Sequence, residues 1–189
     1  DESSINAHWR NREKNQPFFS VFNFNVTHES KIWKNDINSK FNQKTIDLPK
    51  IFPDLDDIKN DFRVNYSNIE RLDKQIGKLI QELKEDNLYE NTIIFFFSDH
   101  GGPFPRYKRS IYDTGIRCPL IIKWINKEDN SRNKQLISFV DFAPTMLDIS
   151  GIKSSNTMEG ISFFNKNFRE YIFAATDRFD ESVDQRRCV

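Results

Sequence analysis

The most regular pattern in the chain is a recurrence of apolar residues every three or four positions across residues 58–83. Apolar side chains at this spacing fall on one face of a helix, and the intervening Lys, Asp, Glu, Arg and Asn side chains face water. The pattern predicts a helix of roughly 28 residues that ends at Asp86 and Asn87. Its apolar face consists of Ile58, Phe62, Tyr66, Ile69, Leu72, Ile76, Leu79 and Leu83.

Several shorter apolar runs lack this spacing and predict strands. Residues 17–24 (PFFSVFNF) and 92–97 (TIIFFF) are apolar almost throughout, and the second run is typical of a central parallel strand that is covered on both faces. Residues 119–124 and 171–175 predict two further strands. We expect the polar residues 29–54 to form a long loop. The alternation of strands with a long helix indicates an α/β fold in one domain.

A second, short helix is predicted over residues 142–150. Asp141 is suited to cap its N-terminus, because Asp is a preferred N-cap residue. Pro144 is tolerated in a first helical turn, and Gly151 is suited to end the helix.

The composition is that of a globular protein without a general electrostatic preference for a partner. Hydrophobic residues make up 37% and charged residues 30%, and 28 basic residues balance 28 acidic ones. We therefore expect no nucleic-acid partner. No apolar run approaches the ~20 residues of a membrane span. The only cysteines, Cys118 and Cys188, are too few to predict a disulfide framework.

Chemically versatile residues follow the predicted strand at 92–97. Asp99 and His100 come directly after Ser98, and two glycines follow them. In open α/β sheets, ligands bind outside the carboxyl ends of the strands, and glycine lets the backbone approach a ligand closely. Asp99 and His100 could turn towards one metal ion. Alternatively, Asp99 caps the following turn and His100 is a surface residue.

Two more residues are candidates for the same site. Lys108 lies nine positions after Asp99, within the basic stretch 106–109. This stretch is either a solvated loop or the source of a cation that clamps an anionic group beside the metal. His28 follows the predicted strand at 17–24, as Asp99 follows its own strand. A lone histidine is more often structural, but its place after a strand makes it a candidate.

The stretch 91–120 resembles the second signature region of the sulfatase family, in the alkaline-phosphatase-like superfamily. That region has an apolar strand, Asp-His-Gly, a lysine some nine residues on and a Gly-Ile-Arg-x-Pro element, and all of these occur here in order. The resemblance covers about residues 17–185 and leans towards heparan N-sulfatase-like bacterial sulfatases. Other segments similar to the family are IERLD from Ile69, SFVDFAPTMLDISGI from Ser138, EGISFF from Glu159 and FAATDRFDE from Phe173.

The resemblance implies an alkaline-phosphatase-like α/β fold with a mixed, largely parallel sheet flanked by helices. Residues 1–189 would be the C-terminal portion of one sulfatase catalytic domain. Asp99 and His100 would bind a calcium ion. Lys108 would contact the sulfate and stabilise charge on its oxygens. His28 would donate a hydrogen bond to the sulfate or to the leaving group.

The function implied is metal-assisted hydrolysis of sulfate esters or N-sulfates by a periplasmic or secreted enzyme. The substrate would be a sulfated carbohydrate or another sulfate ester. Sulfatases attack with a formylglycine made from Cys or Ser in a Cys/Ser-x-Pro-x-Arg motif, which neither Cys118 nor Cys188 matches. We therefore expect a fragment whose nucleophile and other metal ligands lie upstream of Asp1. This chain alone is then predicted to be inactive.

Two alternatives compete with this hypothesis. One is a phosphohydrolase or phosphoethanolamine transferase of the same superfamily, which usually holds two metals and attacks with Thr or Ser. Lys108 argues against it, because a second metal would neutralise the anion instead. The other alternative is a non-catalytic remnant of a sulfatase.

Overall fold

The computed structural model describes residues 7–33, 39–125, 130–164, 169–179 and 181–189. The chain divides into two compact units, Asp1–Tyr89 and Glu90–Val189. The first unit is built around a long helix. The second unit contains a two-stranded sheet, a short helix that packs on it and a hairpin.

Helix α1, Asp56–Glu85, is the main element of the first unit and spans 30 residues. It confirms the helix predicted from the three-and-four spacing. The first turn carries Asp56 and Asp57, whose negative charge is favourable at the positive end of the helix dipole. Only part of the predicted apolar face is buried, since Ile69 is 47% exposed. The buried residues of the helix are Phe62, Val64, Ser67, Asn68 and Leu83.

The segment before α1 is attached to the C-terminal end of that helix. Trp9 lies in a short 3-10 helix, Trp9–Asn11, and is almost completely buried. The Nε1 of Trp9 and the Nε of Arg10 each donate to the same Asp86 carboxylate oxygen at 2.8 Å. These hydrogen bonds, from Arg10 first and Trp9 second, lower the pKa of Asp86. A cation at this end also complements the helix dipole.

The strand predicted at residues 17–24 is wrong for this chain, because these residues belong to no strand of the structure. Exposed and half-buried positions nevertheless alternate along the segment, with Phe19 and Val21 on the exposed side. A strand needs a neighbouring strand for its backbone hydrogen bonds. The described residues of the first unit contain no strand that could pair with this segment.

The loop predicted at 29–54 is confirmed for its described residues, while residues 34–38 lie outside the described ranges. Two 3-10 helices, Glu29–Lys31 and Gln43–Thr45, are its only regular elements in the part that the structure describes. A further 3-10 helix, Tyr89–Asn91, lies where the two units meet in sequence.

Strands β1, Ile94–Phe97, and β2, Leu120–Lys123, form the sheet of the second unit and confirm two predicted strands. They pair antiparallel, with Phe97 opposite Leu120. The apolar run at 92–97 predicts a central parallel strand, and the antiparallel pairing of β1 with β2 corrects that prediction. A parallel pair requires a connection that crosses the sheet, whereas the segment between these strands returns to the same end. Phe97 and Ile121 are substantially exposed, so the sheet is not covered on both faces by the described residues.

Helix α3, Phe142–Ile149, packs against β1 through aromatic rings. A 3-10 helix, Phe139–Asp141, precedes it. The ring of Phe142 lies 4.9 Å from Phe97 and 6.2 Å from Phe95, measured between centroids. The helix ends before Gly151, whose φ of +71° allows the chain to leave the helix as predicted. A short helix, α2, Asp113–Ile116, lies in the loop between β1 and β2.

Asp141 does not cap α3 with its side chain, which corrects the predicted role. Its carboxylate is buried and accepts hydrogen bonds from the Nε and Nη2 of Arg169. The backbone N–H groups of Ser138 and Ile161 donate to the same carboxylate at 2.9 and 2.7 Å. Asp141 is therefore not an N-cap: it has helical backbone angles at the end of the 3-10 helix Phe139–Asp141, and its bond from Ser138 is one half of a capping box at the start of that 3-10 helix.

The chain ends in a hairpin of β3, Ala174–Phe179, and β4, Ser182–Cys188, with an irregularity between Thr176 and Arg178. The strand predicted at 171–175 shares only Ala174 and Ala175 with β3. Strand β4 has no apolar run or clear alternation, so the sequence pattern did not predict it. No described helix is long and apolar enough to cross a membrane.

Candidate functional site

The carboxyl end of β1 brings Asp99 and His100 to the same turn. The strand ends at Phe97, and the Ser98 hydroxyl donates to the His100 carbonyl at 2.8 Å, which curls the backbone there. The Asp99 side chain is 86% exposed and that of His100 is 37% exposed. Both side chains are therefore accessible to a ligand.

The tautomer of His100 follows from its hydrogen bond. Nδ1 of His100 lies 2.7 Å from the carbonyl oxygen of Gly101. A carbonyl oxygen can only accept, so Nδ1 carries the proton, and in the neutral ring Nε2 presents a lone pair. This Nε2 lies 3.6 Å from Oδ1 of Asp99. The two atoms can share one cation, or form an ion pair when the imidazole is protonated.

Asp99 and His100 fit a metal ion as part of a coordination shell. Calcium takes about six to eight mostly oxygen ligands, so Asp99 suits it well and the imidazole nitrogen is a less usual ligand. Among the described residues, no group of three or more His, Cys, Asp or Glu side chains is placed to hold a metal. A complete site therefore needs ligands beyond this pair.

Lys108 lies on the loop that follows Asp99 and His100. Its backbone N–H donates to the Gly102 carbonyl at 3.1 Å, which folds the loop back towards the end of β1. Arg106 and Arg109 on either side have φ values of 69° and 65°, in the left-handed region. Lys108 itself is half-buried.

His28 lies in the first unit, at the start of the 3-10 helix Glu29–Lys31. The backbone N–H of Ser30 donates to Nδ1 of His28 at 3.3 Å. Nδ1 is therefore an acceptor, and the neutral ring carries its proton on Nε2. The ring is exposed, so Nε2–H is a potential donor to an anion. Asp99, His100 and Lys108 belong to the second unit, and the grouping of His28 with them stays a prediction.

Cys118 lies close to the site but is poorly suited to act as a nucleophile. Burial raises the pKa of its thiol most, the charge of Asp99 raises it further, and a hydrogen bond with Ser98 acts in the opposite direction. A raised pKa favours the unreactive thiol over the thiolate. This agrees with the absence of a Cys-x-Pro-x-Arg pattern at this residue.

The sequence pattern did not predict the structural role of Thr114 and Gly115. The Gly101 N–H donates to the Gly115 carbonyl at 2.8 Å, and the Thr114 hydroxyl donates to the Arg106 carbonyl at 2.5 Å. The available signal was the pair of glycines at the two ends of the loop, because glycine is required where two backbones approach closely.

Solved structures identify the class of fold. The chain is similar to a phosphonate monoester hydrolase from Silicibacter pomeroyi, with a TM-score of 0.59 and 28% identity over 67% of this chain and 28% of that chain. It is also similar to a protein solved with its substrate D-glucosamine-2-N,6-O-disulfate, with a TM-score of 0.56 and 24% identity over 73% and 32% of the two chains. These likenesses show the alkaline-phosphatase-like α/β fold.

Sequence comparison then identifies the family. Residues 6–152 match the Sulfatase family model. The whole chain is 43% identical to an ulvan-active sulfatase from Formosa agariphila, of which it covers 38%. Over 56% of its length, the chain is 34% identical to N-acetylglucosamine-6-sulfatase from Bos taurus, and this match covers 20% of that protein. The chain belongs to the sulfatase family, whose members generally use a divalent metal.

Proposed function

We propose that the complete protein is a sulfuric-ester hydrolase that removes sulfate from esters or N-sulfates. The observation that carries this proposal is the arrangement at the end of β1, where Asp99 and His100 lie side by side at the start of the loop that carries Lys108. Membership of the sulfatase family supports the same chemistry. The chain spans 38% or less of the two curated relatives, so the activity belongs to the longer protein.

The proposed metal is a single calcium ion held in part by Asp99 and His100. The Asp99 carboxylate is a hard oxygen donor, and the Nδ1–H bond to Gly101 leaves the Nε2 lone pair of His100 available. When bound, the ion would neutralise negative charge on the sulfate oxygens. The remaining ligands would come from parts of the protein beyond this chain.

Lys108 and His28 are the proposed sulfate-binding residues of this chain. The Lys108 ammonium would act as a compact positive charge that stabilises the sulfate oxygens as the ester bond breaks. The Nε2–H of His28 would donate to a sulfate oxygen or to the leaving oxygen. The Ser30 N–H favours the tautomer that this role requires.

The proposed substrate is a sulfated glycan. The relative that is 43% identical over the whole chain is named for activity on ulvan, and another relative is named as a sulfatase of N-acetylglucosamine. Since such glycans lie outside the cytoplasm, we propose a periplasmic or secreted location. We also propose that the nucleophile lies outside this chain, because Cys118 and Cys188 lack the motif for formylglycine.

Hydrolysis of a phosphate or phosphonate ester is the second candidate. The similarity to a phosphonate monoester hydrolase at 28% identity favours it specifically. Lys108 argues for sulfate, because an enzyme with two metals would not need a lysine to neutralise the anion.

The test is an assay of the full-length protein on matched aryl sulfate, phosphate monoester and phosphonate monoester substrates. The proposal predicts the highest kcat/KM for the sulfate ester, and release of inorganic sulfate from a sulfated polysaccharide. A higher kcat/KM for a phosphorus ester would reverse the order of the two candidates. The 189-residue chain assayed alone serves as the control and should show no turnover above background.

A further inference from the structure

The loop that carries Lys108 is closed at its base by two glycines. Gly101 and Gly115 share a backbone hydrogen bond of 2.8 Å. A Cβ on Gly101 would lie 1.8 Å from the Thr114 carbonyl oxygen, and a Cβ on Gly115 would lie 2.1 Å from that of Ser110. These obstacles are backbone atoms, which cannot rotate away. The two ends of the loop are therefore held together by contacts that only glycine permits.

The middle of the loop has an unusual backbone. Arg106 and Arg109 both adopt the left-handed conformation that is uncommon for residues other than glycine. Such conformations persist where the surrounding structure holds them. Here the backbone N–H of Lys108, between the two arginines, is bonded to Gly102. The conformation around Lys108 is thus defined by several local contacts.

Thr114 connects the base of the loop to its middle. Its hydroxyl donates to the carbonyl oxygen of Arg106 at 2.5 Å. Arg106 precedes Lys108 by two residues, and its guanidinium lies 4.8 Å from the centre of the Tyr112 ring. The hydroxyl therefore reaches from α2 to the backbone two residues before Lys108.

We propose that Thr114 is a positioning residue that fixes the backbone carrying Lys108 so that the ammonium group faces the bound sulfate. Thr114 acts through Lys108 and makes no contact with substrate itself. The inference rests on the proposed function, because it takes sulfate as the anion that Lys108 contacts. A purely structural role would instead affect folding without a specific effect on Lys108.

The test is a double-mutant cycle on inorganic sulfate binding, measured by calorimetry with the full-length protein. Thr114→Val removes the hydroxyl and keeps the shape, and we expect it to weaken sulfate binding about fivefold, within the range observed for residues that are coupled through a backbone shift. Thr114→Ser keeps the hydroxyl and should bind sulfate like the wild type. In a Lys108→Ala background, Thr114→Val should cause no further loss. Thr114→Ala replaces the valine variant if that variant does not fold.

The outcomes separate this inference from the proposed function. Two outcomes would overturn the positioning role and leave the proposed function standing. In the first, Thr114→Val weakens sulfate binding equally with and without Lys108. In the second, Thr114→Val has no effect on sulfate binding although Lys108→Ala weakens it. If Lys108→Ala leaves sulfate binding unchanged, the proposed role of Lys108 fails and the inference fails with it.

Discussion

At the scale of single residues, Asp141 illustrates how a buried charge is stabilised by the fold. Its carboxylate is 2% exposed and is bonded to Arg169, Ile161 and Ser138. Burial by itself would raise the pKa of Asp141, but the hydrogen bonds from these partners hold the pKa below its usual range. A pKa lowered by folding adds stability above the unfolded-state pKa, and this stability is lost as the pH falls through the folded-state pKa.

We predict that Asp141→Asn lowers the free energy of unfolding at neutral pH by about 3 kcal/mol, because it leaves the largely buried Arg169 without its anionic partner. Denaturant unfolding of the protein measures this change. The acid-induced loss of stability should also become shallower in the variant. The matched control is Asp184→Asn, whose partner Arg186 is much more exposed, and there the change should be below about 1 kcal/mol. Equal losses in the two variants would contradict the prediction.

Lys108 carries the clearest prediction for catalysis at this scale. Lys108→Ala should lower the turnover of a sulfate ester by the full-length protein by ~100-fold or more, because a preorganised cation at the sulfate oxygens is lost. Initial rates of sulfate release measure the effect. The control is the exposed Lys153→Ala, which should retain wild-type turnover. Wild-type turnover in Lys108→Ala would remove this residue from the mechanism.

At the scale of elements, two glycines with open surroundings should respond oppositely to the same substitution. Neither Gly77 in α1 nor Gly151 after α3 has an atom within 4 Å of an added Cβ, but Gly151 has a φ of +71°. Gly77→Ala should stabilise the protein by about 0.5–1 kcal/mol, because alanine favours the helix interior. Gly151→Ala should destabilise it by about 1 kcal/mol, because the left-handed conformation is strained with a Cβ. Thermal unfolding of both variants measures the difference, and a stabilising Gly151→Ala would contradict the assigned helix end.

The elements also show what a sequence pattern can predict. Helix α1 was predictable because the spacing of its apolar residues reflects only the turns of the helix itself. The direction in which β1 and β2 pair depends on the path of the chain between them, which the apolar runs do not encode. The segment 17–24 has the composition of a strand, but strand formation also requires a partner. Strand β4 is polar and therefore gave no signal.

At the scale of the whole molecule, the candidate site was predictable where its residues lie close in sequence. Asp99, His100 and Lys108 follow one strand, and the family motif gave them roles. The tautomer of His100 and the bond from Thr114 depend on backbone positions that only the structure supplies. His28 lies in the other compact unit, so local sequence could suggest its role but not its distance from the other residues.

The central claim is that this chain contributes metal-binding and sulfate-binding residues to a sulfatase. The most direct test measures sulfate release by the full-length protein before and after chelation, and again after calcium is restored. Activity should disappear with the metal, return with calcium and be absent in Asp99→Asn, while Asp47→Asn, an exposed carboxylate in the first unit, behaves like the wild type. Sulfate release that survives both chelation and Asp99→Asn would contradict the claim.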